Sequence, residues 1–128
     1  MDDMRTLDAM TGGATQGAMR LQSTMRSKAA TASAAWHGRR VSVDVVPLGS
    51  VSLVLVRTDG GGVLGCGAVD PVPLGRFGLA AARVRPAGGG SIAGLVDLLR
   101  GTVTEANDLA MERGVEAGMT GEAALARL

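Results

Sequence analysis

Residues 41–70 read VSVDVVPLGSVSLVLVRTDGGGVLGCGAVD, and the fold turns on this stretch. Val41, Val43 and Val45 alternate with Ser42 and Asp44, the period of two expected of a half-buried strand, and Pro47 to Ser50 reads as a turn. A second strand follows over Val51 to Arg57. Its run of Leu53, Val54, Leu55 and Val56 is so continuously apolar that both faces are expected to be covered. Asp59-Gly60-Gly61-Gly62 supplies a tight reversal, and Val63 to Ala68 forms a third strand. Three sequential strands with short connections predict an antiparallel meander. Gly65 and Gly67 flank Cys66 in the third; glycine inside a strand marks a bulge or a place where a backbone or ligand comes close.

Downstream, Pro71 and Pro73 set a turn or helix start, and Leu74 to Ala80 can hold a short helix weakened by Gly75 and Gly78. Ala81 to Arg85 reads as a fourth strand ended by Pro86. After the loop at 87–90, Ser91 is placed to cap a helix from Ile92 to about Arg100, with Gly101 at its end. Thr102 or Thr104 caps a further helix carrying Val103, Ala106, Leu109 and Ala110 and ending at Gly114, and Thr120 caps a terminal turn that puts Ala124, Leu125 and Leu128 toward the core. The expected fold is α+β: an antiparallel-leaning sheet of about four strands followed by a helical C-terminal half, in a single domain.

Upstream the material changes. Residues 1–39 hold only Leu7 and Leu21 from the Val/Ile/Leu set, against 27 such residues in 40–128. The first part, with a net charge of +2, reads as a flexible Ala/Thr/Ser/Gly/Met-rich tail, and 40–128 as the domain. Asp2, Asp3 and Asp8 oppose a transit peptide. Composition excludes other classes. One Cys builds neither an internal disulfide nor a Cys-rich zinc site. A net charge of +1 and two aromatic residues do not suit nucleic-acid binding, and no apolar run is long enough for a membrane span.

The residues with chemical potential are few. Cys66 and Asp70 are the candidate catalytic pair. A reactive thiolate would need a neighbouring cation, which Arg83 or the start of the Ser91 helix could supply; otherwise Cys66 is a small buried core residue and Asp70 a turn cap. Arg83 and Arg85 point the same way from one strand, toward a carboxylate or phosphate, into solvent, or into a salt bridge. Gly89, Gly90 and Ser91 complete the candidate anion site if free amides there open onto a helix; the spacing matches neither standard phosphate-loop pattern, so a plain loop is the alternative. His37, the only histidine, lies in the tail, which disfavours a Cys-His dyad. Glu105, Asp108 and Glu112 read as a solvated helix face, while small residues around Asn107 permit close packing. No ligand set with metal-site spacing is present, and no cofactor is named by these residues.

Residues of about 41–128 resemble the YunC-like family of uncharacterised proteins. The likeness is carried by Val51 to Val56, Cys66-Gly67-Ala68 with Asp70, Ala81 to Val84, Ser91-Ile92 with Leu98-Leu99, Gly114-Val115 and Gly118 to Leu125. The resemblance implies a small α+β domain, oligomeric and cytoplasmic, with Cys66 and Asp70 at the natural site position. The functional expectation is a small homo-oligomeric binding or accessory domain with a small-anion pocket near Cys66. The alternative is a thiol-dependent enzyme using Cys66 as nucleophile or redox group.

Overall fold

A computed structural model of the protein describes residues 29–128. Six strands form one mixed sheet in the order β1-β2-β3-β4-β5-β6: β1 Ala30–Trp36, β2 Arg39–Leu48, β3 Val51–Thr58, β4 Gly62–Gly65, β5 Ala80–Arg85 and β6 Thr102–Ala106. Among the described residues four short helices accompany them: α1 Pro71–Gly75, α2 Leu95–Arg100, α3 Asp108–Glu112 and α4 Gly121–Arg127.

This corrects the expected fold in three respects. The sheet has six strands, not about four; it is mixed, because β4 and β5 run parallel; and the C-terminal half is not helical. The segment from Thr102, read as a helix, is strand β6. Its Thr-Val-Thr start is β-branched, and Val103 is buried between exposed or half-exposed neighbours, the alternation of a strand. The other added strand, β1, lies in the segment read as tail. Residues 1–28 of that tail lie outside the described residues, whereas 30–39 form β1 and enter β2. The reversal between them is His37-Gly38, with φ of 49° and 76°, a pair of positive values that matches the twist of a tight hairpin.

Strand alternation sorts the side chains onto two faces. Val41, Val54, Val56, Leu64, Ala82, Val84 and Val103 face one way and are buried, with Ile92, Leu98, Ala124, Leu125 and Leu128 packed over them. A fully buried Leu or Val contributes roughly 1.5–3 kcal/mol, so this face holds most of the stabilising burial. Helices α2 and α4 cover it, and they come together so closely that Gly121 lies against the Leu98 carbonyl with no room for a Cβ. The chain end is pinned here too. Thr58 Oγ1 and an Arg113 guanidinium nitrogen donate to the Leu128 carbonyl at 2.9 and 2.8 Å, and Arg39 donates to the Leu125 and Ala126 carbonyls at 3.0 and 3.3 Å.

The opposite face is covered unevenly. After β4 the chain crosses it through Val69 and α1 before returning as β5, and Val69 fills the space above Gly65. Asn107 ties this crossover down. Its Oδ1 accepts from the Ala81 and Ala110 N–H groups at 3.1 and 3.0 Å, and its Nδ2 donates to the Pro71 and Leu79 carbonyls at 2.8 and 2.9 Å. One buried amide thereby joins α1, β5 and the N-cap of α3. Over β1 to β3 no described helix lies on this side.

Candidate functional site

Cys66 follows β4 directly and stands opposite Val54. Its N–H donates to the Val54 carbonyl at 3.0 Å, and its sulfur accepts the Val54 N–H at 3.4 Å. Val54 faces α2 and α4, and the Cys66 side chain joins the same cluster, only 6% exposed. The glycines beside it have different roles. A Cβ on Gly65 would fall 2.5 Å from a Val69 methyl, so the missing side chain admits the protein's own valine, whereas nothing lies within 4 Å of a Cβ on Gly67.

Asp70 is exposed and caps α1, accepting the Val72 N–H at 3.1 Å. Arg83 pairs across the sheet with Gly65, on the face opposite the Cys66 sulfur. Its guanidinium binds the Glu105 carboxylate at 2.6 Å and the Gly67 carbonyl at 3.3 Å, while Arg85 is exposed two residues further along the same strand. Gly89 and Gly90 take positive φ in an exposed loop. Ser91 does not cap a helix: α2 begins at Leu95 with Gly94 as its N-cap, and Asp97 accepts the Ala93 N–H at 2.9 Å. The structure therefore brings Arg83, Glu105 and the Gly67 backbone together and leaves Cys66 on the far side of the sheet. His37 lies past the other end of β2, whose Val45 pairs with Val54 while Arg39 pairs with Trp36; six residues of strand separate the two rungs, roughly 20 Å.

Grooves among the described residues lie elsewhere. One, of about 520 Å³, runs between the Trp36-His37 turn and the start of α4, lined by Arg39, Thr120, Glu122, Ala123 and Ala126; His37 meets Trp36 edge-on with ring centres 4.5 Å apart. Another, of about 350 Å³, lies between α1 and α3 around Val72, Arg76 and Leu109. Neither touches Cys66, Asp70 or Arg83. Among the described residues no cluster of His, Cys, Asp and Glu could hold a metal ion, and no helix is long and apolar enough to cross a membrane.

What sequence reasoning missed is the half of the sheet that no described helix covers. On the face away from α2 and α4, Val46 pairs with Leu53 and Leu48 with Val51. Val46, Leu48 and Val51 are 36%, 54% and 49% exposed, an apolar row at the end of the β2–β3 hairpin. Beside it, Asp44 accepts from Arg57 Nε at 2.6 Å and from Thr31 Oγ1 at 2.6 Å, a polar bridge over β1, β2 and β3. Partial burial pushes the Asp44 carboxyl up, but the hydrogen bonds from Arg57 and Thr31 and the Arg57 charge outweigh it and hold the group below its ordinary value. The available signal was Val46-Pro47-Leu48, which breaks the alternation of residues 41–45 and leaves apolar residues where a solvated face needs polar ones.

The sequence pattern of the family described as Domain of unknown function (DUF1805) matches residues 65–128. No curated protein matches the chain. Among solved structures, the crystal structure of a protein of unknown function, TA1206 from Thermoplasma acidophilum, is similar in fold with a TM-score of 0.67 at 23% sequence identity, over 78% of this chain and 92% of that one.

Proposed function

The chain belongs to the DUF1805 family of domains of unknown function, and we propose that it is a binding or accessory domain that associates with a second copy of itself through the half of the sheet no described helix covers. The observation that carries this reading is the exposed row of Val46, Leu48 and Val51 on an otherwise ordered sheet face. Beside it, Asp44 is already neutralised within the chain by Arg57. Two copies can meet there without separating Asp44 from its Arg57 partner. A domain of this size also gains from the added burial. Sedimentation equilibrium of the full-length chain tests the reading: a species larger than the monomer supports it, and a monomer throughout the micromolar range overturns it.

The small-anion pocket has less support, since it rests on Arg83, whose guanidinium is held by Glu105 and Gly67. Thiol chemistry has less still, because the Cys66 sulfur is packed in the core. A single reduced thiol suits a cytoplasmic setting, which we adopt as part of the same reading. The narrower YunC-like assignment rests on the motif likeness around Cys66-Gly67-Ala68 and Asp70.

A further inference from the structure

The two edges of the sheet are finished differently. Along β6 the outer backbone is occupied: Val103 donates to the Met119 carbonyl at 2.8 Å, Gly118 donates to the Val103 carbonyl at 2.8 Å, and Thr102 bridges to Thr120. Along β1 there is no counterpart among the described residues, since β1 pairs with β2 alone. The usual guards are missing as well. From Ala30 to Trp36 there is no proline and no charge, the register with β2 runs without a bulge, and Ala30 to Ser33 are exposed. An edge left open in this way is a template for another strand.

We infer that β1 pairs antiparallel with β1 of a second copy, joining two sheets across a two-fold axis at Ser33. This rests on the self-association proposed above and adds a contact at the edge of the same half of the sheet, distinct from the exposed face row. A strand that pairs with itself sets each residue opposite its mirror position, and in the seven-residue β1 all seven overlap only when Ser33 faces Ser33. Like charges directly opposite would oppose such a pair, and β1 carries none. The same register sets the Ala30 end of each copy against the Trp36 end of the other. The Leu48 end of β2 in each copy then lies about two strand spacings, roughly 10 Å, from the partner's His37-Gly38 turn, and Val51 on β3 about one spacing further.

The test uses charge at the axis. Full-length chains carrying Ser33→Asp or Ser33→Lys are compared with the native chain by sedimentation equilibrium, alone and as an equimolar mixture, with circular dichroism to verify that each is folded. Each variant alone is expected to self-associate at least about tenfold more weakly, because two like charges face each other across the axis, and the mixture is expected to recover the native mass. Variants that associate as well as the native chain overturn the edge contact while leaving self-association standing. A mixture that fails to recover overturns the two-fold at Ser33, and a native chain that is monomeric overturns both readings.

Discussion

The Cys66 sulfur accepts the Val54 N–H at 3.4 Å on the face of the sheet that α2 and α4 cover. That bond places the only thiol inside the main core, with Arg83 on the other face. A thiol reagent therefore has to wait for the chain to open. Labelling of Cys66 in the folded protein is expected to follow the unfolding equilibrium, becoming fast and stoichiometric in denaturant; rapid labelling under native conditions would contradict this placement.

Asn107 holds four backbone groups with one buried amide. Asn107→Ala leaves the Ala81 N–H, the Ala110 N–H and two carbonyls without their partner, for an expected loss of about 3 kcal/mol or more. For a domain this size that is a fall in Tm of roughly 12 °C or more, readable by calorimetry. A change under a few degrees would show that water replaces the amide without loss.

The glycines around Cys66 separate by mutation. Gly65→Ala must displace Val69 and is expected to destabilise by about 1–3 kcal/mol, whereas Gly67→Ala meets open space and should fall within about 0.5 kcal/mol of the native chain. Urea midpoints of the two variants check the contrast, and equal effects would refute it.

Legibility in the sequence followed side-chain size. Strands β2 and β3 and the turn between them were readable because large apolar residues alternate or run on in 41–57. Strand β1 was not, because Ala-Thr-Ala-Ser-Ala-Ala has almost no apolar contrast, and only pairing with β2 through the His37-Gly38 reversal orders it. Strand β6 was masked by the helical residues that follow it: Ala106, Leu109 and Ala110 fit a helical face, but a helix boundary falls at Asn107. The cap at Thr120 was readable, since its hydroxyl accepts the Ala123 N–H as a helix start requires. Around the candidate site, the small size and spacing of Gly65, Cys66 and Gly67 were visible. Which face the thiol takes depends on pairing with Val54, a contact no local pattern specifies.

Asp44 predicts an acid-side dependence. Its folded pKa lies below the ordinary 3.8, so the bridge to Arg57 and Thr31 stabilises the fold fully above that value and is lost as pH falls from there through the folded pKa. Because Arg57 is half exposed, the contribution is at most about 1 kcal/mol. Urea midpoints taken from neutral pH downward should show a shallower acid-side loss for Asp44→Asn than for the native chain. Parallel curves would mean that the bridge adds nothing.

The central claim is that this domain works as an assembly built on the half of its sheet that no described helix covers, and the mass of the full-length chain in solution tests it most directly. Sedimentation equilibrium should give a species larger than the monomer at micromolar concentration, and Leu48→Lys with Val51→Lys, in the exposed apolar row, should shift it toward the monomer without unfolding it. A native chain that stays monomeric over that range would contradict the account.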